Sequence, residues 1–251
     1  MNTTNSTALQ KRNTNMKTQI AAYTLALIAG FNATAGPKYS DWSPPVNLGP
    51  GIDTPANDQH PAISKNSLSL YFTSNRAGGF GADDLWVVQR LTIYSPWGPP
   101  QNLGSTVNSS SVDFAPTFSR DGHWLLFHSE RPGGFGRADI WACYREHTHD
   151  DFDWQPPINL GSGVNSAFDE AGPTLFQDEV NGITTLYFTS LNRPGGLGDW
   201  DIYSSVLGAD GTFGPATLVV ELSSPGDPNT GRDTRTAIRH DGLEMFFTSP
   251  S

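Results

Sequence analysis

Arginine and aspartate recur in this chain at a fixed spacing, and these residues have the clearest potential for chemistry. Each arginine is followed eight residues later by an aspartate, in the pairs Arg76 and Asp84, Arg131 and Asp139, and Arg193 and Asp201. A second aspartate set comprises Asp58, Asp113, Asp169 and Asp233. Guanidinium groups bind carboxylates and other anions. Grouped carboxylates bind Ca²⁺ or act as acid and base in glycoside cleavage.

These residues belong to a sequence unit that occurs three times and begins a fourth time. Phenylalanines mark it at spacings of 55, 61 and 59 residues, namely Phe72, Phe127, Phe188 and Phe247. A second marker, an aromatic residue followed two residues later by Pro-Pro-x-Asn-Leu-Gly, starts near Trp42, Trp97 and Trp154, and in degenerate form near Phe213. Repetition at such a period predicts an array of one supersecondary unit.

One unit divides into four short strands. Residues 113–119, 124–129, 138–144 and 154–160 have strand character, and an Asp-Gly turn and a glycine-rich loop separate the first three. The fourth segment holds two prolines, which places it at a sheet edge. We therefore predict an all-β fold, a β-propeller of four-stranded antiparallel blades with about four blades, the last incomplete. A β-sandwich is the alternative, but it does not require near-identical repeats.

The second unit matches a known repeat pattern most fully. It reads Pro-x-Phe-Ser-x-Asp-Gly from Pro116, then Phe-x-Ser-x-Arg-Pro-Gly-Gly-x-Gly-x-x-Asp-Ile-Trp from Phe127. This pattern resembles the WD40-like (PD40) repeat of TolB-type propellers, and the resemblance extends from Trp42 to the end of the chain. It implies protein contacts at the cell envelope. Units one and three depart from the pattern at the Asp-Gly turn.

The first 35 residues lie outside the repeats and resemble a secretory leader. A basic start is followed by a short apolar run at residues 21–31 and by Ala33-Thr34-Ala35, a small-x-small cleavage site. We predict initiation at Met16, cleavage after Ala35, and one propeller domain over residues 36–251. The apolar run is too short for a permanent membrane span. The protein is thus expected to be secreted or periplasmic, with no transmembrane segment after signal removal.

The charge balance disfavours nucleic-acid partners. The net charge is −10, and loss of the leader makes it −13, since the leader carries three basic residues and no acidic residue. An acidic protein is repelled by phosphate backbones. The single cysteine, Cys143, lies in an apolar strand pattern and is predicted to be a buried thiol. No ligand spacing is diagnostic of a metal, so we predict no cofactor, with Ca²⁺ as a weaker alternative.

The strand order brings the candidate residues to one end of the ring. We predict that Asp58, Asp113, Asp169 and Asp233 face the central funnel with Arg76, Arg131 and Arg193, and that these residues bind a ligand. Repetition also suits a structural ion pair in each blade, which is the favoured role for the arginines. The same structural role is predicted for Asp84, Asp139 and Asp201 and for the loop glycines Gly79, Gly134 and Gly196. The segment at residues 147–151 is expected to be a solvated loop.

Catalytic sites are asymmetric, whereas these candidates repeat. The sequence therefore favours a non-catalytic binding or interaction module, with a protein or glycan at the cell envelope as its partner. One alternative is a glycan-active hydrolase or lyase that uses funnel carboxylates, and a unique buried acid near the channel would favour it. Another is an accessory propeller of a larger envelope protein or peptidase. Because the fourth unit stops after its second strand, we also expect the sequence to be a fragment.

Overall fold

The structure is a computed structural model that describes residues 42–223, 232–239 and 241–249. The chain divides into two units, Met1–Val46 and Asn47–Ser251. In the first unit only residues 42–46 are described, and they form no regular element. The predicted leader and its cleavage site lie outside the described residues. Residues 42–48, which include the first copy of the Pro-Pro marker, carry no strand.

The second unit consists of successive antiparallel sheets, which we number as blades one to four. Each of the first three has four strands hydrogen-bonded in chain order. Blade one contains β1 (Asp58–Ile63), β2 (Ser69–Ser74), β3 (Asp84–Gln89) and β4 (Gln101–Asn102). Blade two contains β5 (Asp113–Phe118), β6 (Trp124–Ser129), β7 (Asp139–Tyr144) and β8 (Ile158–Asn159). Blade three contains β9 (Asp169–Asp178), β10 (Ile183–Leu191), β11 (Trp200–Val206) and β12 (Thr217–Leu218).

Blade four contains two paired strands among the described residues, β13 (Thr234–Ile238) and β14 (Met245–Thr248). A single-turn 3₁₀ helix (Val220–Leu222) precedes it. The first strands of successive blades lie side by side, since β1 contacts β5, β5 contacts β9, and β9 contacts β13. The fold is therefore a β-propeller, as predicted, and these first strands line its central channel. Among the described residues no helix is long and apolar enough to cross a membrane.

The fourth strands are shorter than the sequence predicted. In blade two the predicted strand over residues 154–160 is reduced to two residues, Ile158–Asn159. The preceding Pro156 and Pro157 have no N–H to donate to a ladder. Trp154, at the start of this segment, is instead buried in the core.

Apolar side chains between the blades hold them together. All six residues of β2 are buried, because its two faces pack in different clusters: Tyr71 packs with blade two, and Leu70 and Phe72 pack with Ile52 and Trp97. Tyr71, Leu125 and Phe127 belong to one cluster that joins blades one and two. Cys143 lies in the same cluster with no exposed surface, and burial raises its pKa to about 12. The prediction of a buried thiol is confirmed.

Candidate functional site

The first strand of every blade has a β-bulge where it faces the channel. The bulged residue has a positive φ in each blade: His60 (53°), Ala115 (55°), Gly172 (57°) and Arg235 (58°). The strand register shifts at this position in all four blades, and a bulge changes the direction in which a side chain points. These four residues line a cavity of about 490 Å³, which we call the mouth cavity. A second cavity of about 420 Å³ continues along the first strands from the same four residues.

The repeated acids and arginines form ion pairs inside their own blades. In blade one, Asp58 Oδ1 lies 2.6 Å from Arg76 Nη2 and accepts a hydrogen bond of 2.6 Å from the Ser74 hydroxyl. In blade two, Asp113 Oδ1 has the same geometry, 2.6 Å from Arg131 Nη2 and 2.7 Å from the Ser129 hydroxyl. Burial alone would raise the pKa of Asp58, but hydrogen bonds from Ser74, Thr54 and Arg76 outweigh it and lower the pKa to about 2.

Blade three differs from the predicted register. The acid in the equivalent position is Glu170, not Asp169: Glu170 accepts hydrogen bonds from the Ser190 and Ser166 hydroxyls. Its Oε1 lies 3.6 Å from Arg193 Nη1. Asp169 instead accepts a hydrogen bond of 2.6 Å from Arg137 of blade two and one of 3.3 Å from the Ala138 N–H. In the fourth blade Asp233 is fully buried.

The second repeated aspartate organises the glycine-rich loop of each blade. Asp84 accepts hydrogen bonds of 2.5 and 3.0 Å from the N–H groups of Phe80 and Gly81. Asp139 and Asp201 make the corresponding contacts in blades two and three. A Cβ on any of the preceding glycines would collide with this carboxylate, which explains Gly79, Gly134 and Gly196. These aspartates and glycines form a repeated loop-to-strand contact.

Three further residues do not repeat, and the sequence analysis missed them. His128 stands in the second strand where the other blades have a threonine, at Thr73, Thr189 and Thr248. Asp83 stands before β3 where blades two and three have Ala138 and Trp200. His60 is likewise unique among the four bulged residues. The sequence could have revealed them, because each position lies at a fixed distance from a repeated marker and can be compared between blades.

Burial perturbs the unique titratable groups. It lowers the pKa of His60 to about 4, with a further contribution from the charge of Arg235. It lowers the pKa of His128 to about 3, with the nearby His60 acting in the same direction. Burial and then the charge of Asp84 raise the pKa of Asp83. Among the described residues, neither His60 Nδ1 nor Asp83 Oδ1, both buried atoms, has a hydrogen-bond partner.

An aromatic ring separates the two histidines. The Phe114 ring centroid lies 4.5 Å from that of His60 and 5.1 Å from that of His128. His128 Nδ1 faces the N–H of Gly172 at 3.4 Å, much as Thr73 Oγ1 accepts from the N–H of Ala115 at 2.9 Å. The two imidazoles therefore form part of the cavity wall and stay neutral near pH 7. In the part of the chain that the structure describes, no three His, Cys, Asp or Glu side chains are grouped to hold a metal ion.

The segment at residues 147–151 combines an exposed end with a buried anchor. His147 is largely exposed and pairs with Asp153 at 2.8 Å. Asp151 is buried, and its Oδ1 lies 3.0 Å from Arg145 Nη1. It also accepts hydrogen bonds from blade one, at 2.5 Å from the Ser69 hydroxyl and 3.0 Å from the Tyr71 hydroxyl. The prediction of a solvated loop holds for the histidines, which are exposed. It is wrong for Asp151, which is buried and joins blades one and two.

Comparison with known proteins gives structural neighbours alone. No protein-family model matches the chain, and a search of curated proteins gives no match. An endo-arabinase structure from Bacteroides thetaiotaomicron is 18% identical, with a TM-score of 0.49 over 71% of this chain and 63% of that one. An α-L-arabinofuranosidase from Podospora anserina, in complex with cellotriose, is 14% identical, with a TM-score of 0.46 over 82% and 66%. A protein assigned as TolB from Agrobacterium tumefaciens is 18% identical, with a TM-score of 0.41 over 66% and 49%.

These similarities are limited in extent and concern the fold. The chain spans about 63%, 66% and 49% of the lengths of these three structures. The comparison nevertheless contradicts the functional preference of the sequence analysis. The sequence favoured a non-catalytic binding module, whereas the solved structures that resemble this chain include several carbohydrate-cleaving enzymes. The non-catalytic prediction is therefore wrong on this comparison.

Proposed function

We propose that this protein is a glycan-active hydrolase that binds its glycan in the mouth cavity, whose described lining residues include His60 and His128 but neither of the carboxylates proposed below to act on the glycan. The observation that carries the proposal is the asymmetry of the cavity and its surroundings. In blades one to three the repeated acids are paired with arginines inside their blades, while His60, His128 and Asp83 occur once each and have pKa values shifted first of all by burial. Perturbed titratable groups beside a cavity are typical of active sites. A volume of about 490 Å³ suits a small saccharide.

Two carboxylates have environments suited to different roles. Asp83 has a raised pKa, as suits a proton donor to a glycosidic oxygen, and its Oδ1 has no partner among the described residues. Asp169 accepts hydrogen bonds from the Arg137 guanidinium, which hold the carboxylate in place, and we assign it the role of the base that takes a proton from water. The charge of Asp169 also reaches His128, which lines the cavity. Glycoside hydrolysis uses such a pair of acid and carboxylate.

The remaining expectations are consistent with an enzyme of extracellular polysaccharides. We propose that the leader exports the protein and that its repeats belong to the WD40-like family of TolB-type propellers. A glycan at the cell envelope is then the proposed partner. Binding of Ca²⁺ stays a proposal, and a comparison of the melting temperature in Ca²⁺ and in chelator tests it.

Release of reducing ends from a panel of purified polysaccharides tests the proposed activity. The wild type is expected to cleave at least one of them. Asp83→Asn and Asp169→Asn should each lower kcat by about 100-fold or more, with melting temperatures near that of the wild type. Asp153→Asn, an exposed carboxylate change in the loop of blade two, serves as the control and should keep full activity. Absence of cleavage across the panel, or full activity in both site variants, would refute the proposal.

A further inference from the structure

The mouth cavity is positively charged in an acidic protein. The charge comes from two arginines in its lining, Arg232 and Arg235, since His60 and His128, which also line it, are neutral near pH 7. No described residue that lines it is an aspartate or glutamate. The cavity that continues along the first strands likewise has Arg235 and no acidic lining residue among those described. A net charge of −10 makes this local excess of positive charge unusual and indicates an anionic ligand.

Arg235 differs from the other arginines of the propeller. Arg76, Arg131 and Arg193 each pair with the acid of their own blade. Arg232 lies 3.8 Å from Asp199. Arg235, in contrast, has neither an ion pair nor a side-chain hydrogen bond among the described residues, although it lines both cavities.

Two further polar groups in the same region lack partners. His60 Nδ1 and Thr236 Oγ1 are buried without a hydrogen-bond partner among the described residues. Thr236 is adjacent to Arg235 and lines the second cavity, and His60 lines both. Buried polar atoms without partners are rare, and these two border the cavities that Arg235 lines. His60, Arg235 and Thr236 all line the second cavity, and their side chains carry an imidazole, a guanidinium and a hydroxyl.

The backbone fixes the position of Arg235. Its φ of +58° is uncommon for a side chain of this size. Blades two and three meet the same bulge with alanine and glycine, which have little or no side chain to place there. The bulge itself therefore does not require an arginine, since smaller residues form it in blades two and three.

We propose that Arg235, with His60 and Thr236, binds the carboxylate of an acidic sugar, so that the substrate class is a uronate-containing glycan. A guanidinium binds a carboxylate through two parallel hydrogen bonds. The neutral imidazole and the hydroxyl can add hydrogen bonds without a competing charge. This inference rests on the proposed function in taking a glycan as the ligand, and it adds the charge of that glycan.

Calorimetric titration with matched saccharides tests the proposal. The probes are trisaccharides of galacturonate, glucuronate and mannuronate, each compared with its methyl ester, which removes the charge and keeps the sugar. For at least one trisaccharide we expect the free acid to bind wild type about 10-fold or more tightly than the ester. In Arg235→Gln this preference should disappear, and in Arg235→Lys it should be reduced. Arg120→Gln, which removes an arginine paired with Glu179 in a hairpin loop, should keep the wild-type preference.

Product analysis on the same mixtures separates this inference from the proposed function. Tight, Arg235-dependent binding of an acid without cleavage would support the uronate site and count against hydrolysis. Cleavage of neutral glycans with equal affinity for acid and ester would support hydrolysis and overturn the uronate site. An acid preference that survives in Arg235→Gln, with the variant folded by its melting curve, would also overturn it.

Discussion

Removal of the Asp151 carboxylate should destabilise the propeller strongly. Asp151 is buried and faces the guanidinium of Arg145, whose side chain is 2% exposed. It also accepts hydrogen bonds from Ser69, Tyr71 and Gln89 of blade one. Asp151→Ala leaves the buried charge of Arg145 without a carboxylate. Its remaining hydrogen bonds go to the carbonyl groups of Gly122 and Asp150 and, at 3.4 Å, to the Tyr71 hydroxyl.

The expected loss follows from the burial of the pair. Breaking a buried ion pair from one side costs about 3–5 kcal/mol. In a domain of this size that loss lowers Tm by about 6–20 °C. Urea unfolding followed by tryptophan fluorescence measures the free energy, and Trp154 reports directly because its ring lies 4.4 Å from the Arg145 guanidinium carbon.

A nearby exposed aspartate provides the control. Asp153→Asn removes a carboxylate from the same segment, where it pairs with the exposed His147, and should leave the unfolding midpoint unchanged. A loss below about 1 kcal/mol for Asp151→Ala, the size expected of a surface pair, would refute the claim that this residue joins blades one and two.

Three further outcomes are expected. First, His60 and His128 have folded-state pKa values of about 4 and 3, below the unfolded value of 6.5; the unfolded chain therefore binds protons first, and stability should fall as pH drops from 6.5 towards 3. His128→Thr should flatten this loss in urea titrations run at each pH, and an unchanged profile would contradict it. Second, Gly136→Ala should cost about 1–3 kcal/mol, since its Cβ would overlap a backbone carbonyl of the next blade, whereas Gly51→Ala has open space; equal midpoints in urea would contradict this. Third, Cys143 should react with a thiol reagent at pH 8 only as fast as the protein unfolds, because burial raises its pKa to about 12, and rapid native-state labelling would contradict its burial.

The repeated features could be read from the sequence because every blade needs them to fold. The glycine-rich loop is an example: Asp139 accepts its N–H groups and Gly134 packs against the carboxylate, so the same letters recur. The length of the fourth strand was overestimated. The prolines Pro156 and Pro157 were taken to place the strand at a sheet edge, but without N–H groups they also shorten it.

The non-repeated features were harder to predict, because their roles depend on which residues occupy equivalent positions in the folded blades. The sequence analysis matched Asp169 to Asp58 because both are aspartates. A proline follows Asp58 by three residues, at Pro61, and the corresponding proline of blade three, Pro173, follows Glu170 by three residues. The proline therefore identifies Glu170 as the equivalent acid. His128 lies in a strand that looks regular, and its proximity to His60 arises from a bulge. The buried contact of Asp151 with Tyr71 spans 80 residues of sequence, so no local pattern could indicate it.

One substitution tests the central claim that residues that occur in one blade only, not the repeated ones, perform the chemistry. Asp83→Ala gives blade one the residue that blade two has at this position, Ala138. It removes a carboxylate whose pKa is raised by burial and by the charge of Asp84, so Tm should stay equal or rise. On a polysaccharide that the wild type cleaves, the initial rate of reducing-end release should fall by about 100-fold or more. A folded Asp83→Ala protein with the wild-type rate would contradict the account.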